Sequence, residues 1–314
     1  MAPAFAALCA SHSPFANMRP EVDRGFLDTM GKADGWVGEF APELVIQFSP
    51  DHFNGMFYDA MPSFCVAAAA ESVGDWQTPA GALNVPSGLA MELLDAVRAS
   101  DIDAALSHRL PVDHGTTQLW SLMTGELPSH PIIPIIINCA APPRPSLRRC
   151  RLLGKAVGRF AAGIGKRILF SASGGLSHDP PIPAIAGAEG RMREFLLSGR
   201  NLSAEARVER EARVIAGAER LVADGADSDI LPPDAEWDAK VLDLLATGNL
   251  AAFDDWDDDE ITRLGGCGGH EIRCWIAALA ALRAAGGAYE MTVDHYAVAM
   301  EWMTGMAVAH ATQH

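Results

Sequence analysis

Short apolar runs that stop at polar turns alternate along this chain with stretches of helical period, and that alternation restricts the fold more than any other feature. Phe5 to Ala10 is an apolar run closed by Ser11 and His12. ELVIQF, Glu43 to Phe48, stops at Ser49-Pro50. The isoleucine-rich stretch Pro131 to Asn138 and RILFSA, Arg167 to Ala172, have the same character, with shorter strand-like runs at Ser63 to Ala69 and Ile102 to Leu106. Bounded apolar runs of this length read as buried strands. Glu21 to Phe40, Ser87 to Ala99 and Ser146 to Ala162 carry helical spacing. Helices dominate further on, at about Ala184 to Ser198, Ser203 to Asp224, Asp234 to Ala246, Ile261 to Leu264 and Glu271 to Ala285. Strands alternating with helices predict an α/β fold, a central mixed sheet flanked by helices, with a more helical C-terminal half. No Ser/Gly linker, composition break or internal repeat divides the chain, so a single domain over residues 1–314 is expected.

The formal net charge of −16 repels phosphate backbones, so nucleic acid is not an expected partner. With 49% apolar and 20% charged residues the chain can bury a large core, and wholesale disorder is not expected. Its six cysteines form no C-x-x-C pair, which excludes a zinc ribbon, and are expected to be reduced, buried thiols. The N-terminal MAPAFAALCA has no Lys or Arg ahead of its apolar run, unlike a secretory signal. Other apolar runs are too short to span a bilayer. A cytoplasmic protein without membrane association is expected.

Four histidines share one local context, a short turn just after a strand-like run. They are His12 in CASHSPF, His52 in FSPDHFNG, His114 in PVDHGTTQ and His178 in SGGLSHDPP. Strand-end loops are where a rigid sheet holds reactive side chains, and imidazole is both a common metal ligand and the side chain that titrates near neutrality. Singly, each reads as a hydrogen-bonded loop histidine. Together, His12 and His52 gain weight as ligands, because neighbouring strands lie about 4.8 Å apart and loops at one sheet edge can bring two imidazoles to one metal. His114 and His178 have no histidine three or four residues on and belong to no HExxH helix; general acid and general base are roles open to them. His108, His130, His270, His295, His310 and His314 read as structural or surface residues.

GGCGGHEIRCW adds Glu271 at the start of a helix that carries Ile272, Trp275 and Ile276 on its apolar side. A glutamate there is favoured by the helix dipole whatever else it does. Gly265, Gly266, Gly268 and Gly269 around Cys267 point to close backbone packing at a buried helix start. No lysine follows in Walker fashion and no G-x-S-x-G elbow occurs, which argues against a phosphate loop and a serine hydrolase. Two histidines plus one carboxylate make the facial triad of non-haem Fe(II) oxygenases, three ligands on one face with the opposite face open. The acidic run Asp254 to Glu260 lacks the alternating ligands and turn glycine of a calcium loop, and reads as a solvated face ahead of a helix.

In SHSP, FSPDHFNGMFYDAMPSFC, VDHG, SASGGLSHDPP and HEI-x-x-W the sequence resembles the class III extradiol ring-cleavage dioxygenases, the superfamily of the protocatechuate 4,5-dioxygenase catalytic subunit. Several separated motifs in the same order carry the resemblance along nearly the whole chain. It implies that His12, His52 and Glu271 hold Fe(II), that His114 donates a proton and that His178 accepts one. The implied substrates are dioxygen and a 3-substituted catechol such as 2,3-dihydroxyphenylpropionate or 2,3-dihydroxycinnamate. The implied product is a 2-hydroxy-6-oxo dienoate, formed in aromatic catabolism. Two other readings use the same residues: a non-enzymatic metal-binding member of the superfold, and a zinc hydrolase. A homo-oligomer is expected on general grounds.

Overall fold

The computed structural model describes residues 4–200 and 202–313, and in it the runs predicted as strands lie side by side. The first half holds β1 (Phe5–Ala10), α1 (Phe15–Met18), α2 (Arg24–Phe40), β2 (Leu44–Ser49), β3 (Phe64–Ala67), β4 (Ala70–Val73), β5 (Ala80–Ala82), α3 (Ser87–Arg98), β6 (Ala105–Ser107), β7 (Leu110–Val112), α4 (His114–Thr124) and β8 (Ile132–Ile137). The second holds α5 (Leu147–Gly163), β9 (Ile168–Ser173), α6 (Gly190–Ser198), α7 (Ala204–Asp224), α8 (Ala235–Ala246), α9 (Asp258–Gly265), α10 (Ile272–Gly286), β10 (Tyr289–Ala299) and β11 (Thr304–Gln313).

One eight-stranded mixed sheet runs β10-β11-β1-β9-β2-β8-β3-β6. Its centre, β1-β9-β2-β8, is parallel, with β11 antiparallel to β1 and β3 antiparallel to β8. Every residue of β2, β8 and β9 is buried, which is why they read as continuous apolar runs rather than alternating ones: a parallel sheet is covered on both faces. The period of two sorts their side chains all the same. Leu44, Ile46, Phe48, Ile168, Phe170 and Ala172 join one core with α3, α5, α8 and α10, while Val45 and Leu169 join the other with α2 and α4.

Towards the carboxyl ends of β2 and β9 the second face turns polar, and those polar residues anchor α4. Gln47 Nε2 donates to the Thr116 carbonyl at 2.5 Å, Trp120 Nε1 donates to Gln47 Oε1 at 2.6 Å, and the Ser49 and Thr116 hydroxyls lie 2.8 Å apart. All of these groups are buried, so each bond satisfies a polar atom that would otherwise cost free energy.

On the opposite face α5 and α10 pack backbone to backbone. A Cβ on Gly154 or Gly158 would overlap the carbonyl of Ala277 or Ala281. This close approach seats α10 under the sheet, buried from Ile272 to Leu282 on all sides rather than on one. Its Arg273 is fully buried and bonded to Asp258 Oδ1 at 2.5 Å, to His270 Nδ1 at 2.8 Å and to the Pro145 carbonyl at 2.8 Å. The acidic run is therefore more than a solvated face: Asp258 neutralises a buried guanidinium, Asp254 pairs with Arg151 at 2.5 Å, and Asp257 caps α9.

Several elements differ from the sequence reading. The chain after Gly286 is a strand pair, β10 and β11, that extends the sheet past β1. The expected helix from Ala184 begins only at Gly190. A small three-stranded sheet, β5-β4-β7, stands apart from the main one, and β7 leads directly into α4. No helix among the described residues is long and apolar enough to cross a membrane, and all six cysteines are free.

Candidate active site

The four central strands are parallel, so their carboxyl ends share one edge, and a crevice outside those ends is where open α/β sheets bind ligands. His12 lies two residues past β1. Its Nδ1 is 3.1 Å from the Ser173 hydroxyl at the end of neighbouring β9, which leaves Nε2 to face Glu271 Oε2 at 3.5 Å. His52 lies three residues past β2 in a turn built on Asp51, whose carboxylate accepts the N–H groups of Asn54, Gly55 and Met56. Asp113 accepts the His52 backbone N–H at 2.8 Å and sits 3.3 Å from Nδ1, so Nε2 turns to Glu271 Oε1 at 3.1 Å.

Glu271 ends the single 3₁₀ turn Gly269–Glu271 that opens α10. It is 3% exposed, and the Gly175 N–H donates to its Oε2 at 2.8 Å. His178 comes to the same carboxylate from the loop after β9, with Nε2 3.6 Å from Oε1 and Nδ1 2.9 Å from the Leu176 carbonyl. The glycine-rich approach to Glu271 makes that placement possible. Gly268 donates to the His178 carbonyl at 2.9 Å, and a Cβ on Gly266 or Gly268 would overlap the His178 backbone or ring.

His114 is the first residue of α4, with Asp113 as its N-cap. Its Nδ1 is 2.7 Å from Asp75 Oδ2, and its ring stacks on that of His52 with centroids 4.5 Å apart. The structure thus brings His12, His52, His114, His178 and Glu271 to one place. One ring nitrogen each from His12, His52 and His114 lies within 4.8 Å of the others, and donor atoms of Asp75, Asp113 and His114 are equally close, so two overlapping groups here could hold a metal ion, while Nε2 of His12 and of His52 each face one oxygen of Glu271.

Burial and charge set the protonation of these groups. Burial pushes His12 down to about 3, with the neighbouring imidazoles opposing a proton and Glu271 favouring one. Burial alone would lower His52, but Asp113 and Glu271 raise it well above the usual histidine range. Burial would likewise lower His178, yet the negative charge of Glu271 and the hydrogen bond to the Leu176 carbonyl raise it. Glu271 is held well below the usual carboxylate range by His12, His178 and His52 against the effect of burial. Buried Asp51, next to Asp113, is pushed up to about 7.

Asp75, Asp113 and Ser173 are site residues that the sequence reading did not single out. Asp113 had a usable signal, an acidic residue directly before His114; Asp75, in SVGDWQ, sits in the same strand-end context as the histidines. His270 lies apart from the cluster, bonded to Thr262 and Arg273, and burial lowers it to about 2. His295 pairs with Asp23 and His310 with Asp294. His314 lies outside the described residues.

His12, His52, His114 and His178 line a cavity of about 240 Å³ walled by Phe15, Trp76, Phe195 and Trp302. An apolar, aromatic-walled cavity lined by four imidazoles, with the Glu271 carboxylate directly behind three of them, suits an aromatic substrate activated at a metal. The chain matches the family described as the catalytic LigB subunit of aromatic ring-opening dioxygenase over residues 6–308, and belongs to it. It is an extradiol ring-cleaving dioxygenase by class, as the resemblance implied. Among curated relatives, the 2,3-dihydroxyphenylpropionate/2,3-dihydroxicinnamic acid 1,2-dioxygenase of Cupriavidus pinatubonensis is 49% identical over 306 residues, 96% of each chain. Its namesake from Cupriavidus necator is 48% identical with the same coverage, and that from Azotobacter vinelandii is 46% identical over 96% of this chain and 97% of its own.

Proposed function

We propose that this chain opens 2,3-dihydroxyphenylpropionate, or its cinnamate analogue, beside the diol with Fe(II) and dioxygen. The observation that carries the reading is the convergence of His12 Nε2 and His52 Nε2 on the two oxygens of one buried carboxylate, Glu271. Two nitrogen donors and one oxygen donor on one side of a cavity suit the facial triad of non-haem iron. The set of His12, His52 and His114 fits less well, because it has no anionic donor and because His114 already has a carboxylate partner in Asp75. Bound by His12, His52 and Glu271, Fe(II) would acidify a catechol hydroxyl and pass electron density from the catechol, which is oxidised, to dioxygen.

The protein's own groups handle the protons. The Leu176 carbonyl can only accept, so it fixes the ring proton of neutral His178 on Nδ1 and leaves Nε2 free to take a catechol proton. Asp75 likewise fixes a proton on His114 Nδ1. The other nitrogen of His114 faces the cavity and, in the imidazolium form, carries the proton that a departing oxygen needs. Phe15, Trp76 and Trp302 exclude water around the ring. Both atoms of dioxygen enter the product, a 2-hydroxy-6-oxo dienoate.

The wide sequence separation of the site residues, from His12 to Glu271, supports one catalytic domain over residues 1–314. Free thiols support a reducing, cytoplasmic setting, and a symmetric homo-oligomer is the common state for such enzymes. Anaerobic loading with Fe(II), followed by a panel of catechols with and without a propionate arm, tests the function. Oxygen uptake and a yellow product with the armed catechol are expected. Neither signal with any 3-alkylcatechol would overturn the reading.

A further inference from the structure

A chain with a net charge of −16 opposes the entry of an anionic substrate, so an acid-bearing catechol needs local positive charge in the cavity. Besides imidazoles, the cations lining that cavity among the described residues are Arg210 and Arg213. Both belong to α7, and a separation of three places them on one face. They are differently engaged.

Arg210 is committed to the protein. Its guanidinium donates to the carbonyls of His52 and Phe53 and lies 5.4 Å from the Phe195 ring centroid. Asp113, Asp75 and Asp51 face its charge. It clamps the turn that carries His52. Arg213 is exposed and makes no hydrogen bond or ion pair among the described residues. It lines both the cavity and the groove that adjoins it between α6 and α7. A little over one turn further along α7, Gly217 approaches Pro181, a residue of the cavity wall. This face of α7 therefore runs along the cavity from the His52 turn to the Pro181 wall, with Arg213 between them.

We propose that Arg213 binds the carboxylate of the substrate's side arm and so sets the preference for acid-bearing catechols. The inference rests on the catechol reading above and deepens it. Arg210 marks the position of His52 on the helix, and Arg213 is displaced from it by about 4.5 Å of helix rise. Two methylenes and a carboxyl carbon extend roughly 4 Å from a ring whose diol sits at His12, His52 and Glu271, given C–C bonds near 1.5 Å. A guanidinium offers a carboxylate two parallel N–H donors, a stronger and more selective contact than a point charge.

The test compares wild type with Arg213→Met, Arg213→Lys and Arg213→Glu, each loaded with Fe(II). The readout is the ratio of kcat/KM for 2,3-dihydroxyphenylpropionate to that for 3-propylcatechol. In Arg213→Met the ratio should fall by about 10- to 100-fold, as loss of a charged hydrogen bond implies, and mainly through KM. Arg213→Lys should keep part of it, and Arg213→Glu should favour 3-(2-aminoethyl)catechol instead. Calorimetric binding of 3-phenylpropionate, which has no diol, to the metal-free proteins should weaken in parallel. A ratio matching wild type in Arg213→Met, or an equal loss on both catechols, overturns the proposal. If wild type turns over neither catechol, the catechol reading fails on its own, and the phenylpropionate arm still decides whether Arg213 binds a carboxylate.

Discussion

His114 Nδ1 lies 2.7 Å from Asp75 Oδ2, while Asp75 Oδ1 accepts the His114 backbone N–H at 2.8 Å. One carboxylate thus fixes both the ring and the first turn of α4. The small sheet explains how they meet. Strands β4 and β7 are parallel neighbours, with Ser72 opposite Val112, so the residues just past their carboxyl ends, Asp75 and His114, arrive together. Asp75→Asn keeps the shape but no longer dictates which ring nitrogen carries the proton. We expect kcat to fall by roughly 10²-fold or more, within the range general acid–base catalysis supplies, with metal content unchanged. Steady-state kinetics paired with metal analysis checks this, and a wild-type kcat would show that Asp75 does not orient His114.

Ligand and proton roles separate experimentally. His12→Ala or Glu271→Ala removes one of the donors that meet at the base of the cavity, and each variant should retain less than about a tenth of the iron held by wild type, since even removing a group that supports a ligand costs 10–100-fold in affinity. His114→Ala and His178→Ala should load normally yet lose about 10²- to 10⁴-fold in kcat. Elemental analysis after anaerobic loading separates the pairs. Full iron in Glu271→Ala would favour the donor set completed by His114 instead.

The histidines were legible in the sequence because each follows a strand within a few residues, in a segment of turn-like composition, a signal local to a few residues. Apart from Asp113, their partners were not. Asp75 gains meaning only through the pairing of β4 with β7, and Ser173 only because β1 and β9 are neighbours, relations set by tertiary structure. Helix α4 was hidden because HGTT after Asp113 has turn-like composition; its start is held by the Asp113 cap and by the buried Gln47, Ser49 and Trp120 bonds. Strands β10 and β11 were hidden because alanines in TVDHYAVA and GMAVAHA dilute the β-branched signal, and the pairing of β11 with β1 and of β10 with β11 decides their conformation.

Gly268 packs against the His178 ring, where a Cβ would overlap the imidazole. Gly268→Ala should displace that ring while leaving His12, His52 and Glu271 as they are. Misplacing a catalytic group by about 1 Å can cost 10²-fold, so a kcat loss of that order is expected with iron retained. Overpacking should also cost about 1–3 kcal/mol of stability, read from urea unfolding. Turnover at the wild-type rate would place His178 outside the proton path.

Asp238 holds the loop that carries His178. Its carboxylate accepts the Ser177 N–H at 2.8 Å, the Ser177 hydroxyl at 2.9 Å and the Tyr296 hydroxyl at 2.9 Å. Burial still dominates and pushes this carboxyl up to about 6, against an ordinary value of 3.8. Between those values the folded chain keeps a proton that the unfolded chain has released. The group's contribution to stability is therefore fully present below about pH 4 and is lost as pH rises through about 6. Asp238→Asn has no such titration, so the variant should gain on wild type between pH 4 and pH 7 by on the order of 2–3 kcal/mol. Urea unfolding of both proteins at several pH values across that window checks the sign. Parallel stability curves would mean that the carboxylate is already satisfied as a charge by Ser177 and Tyr296.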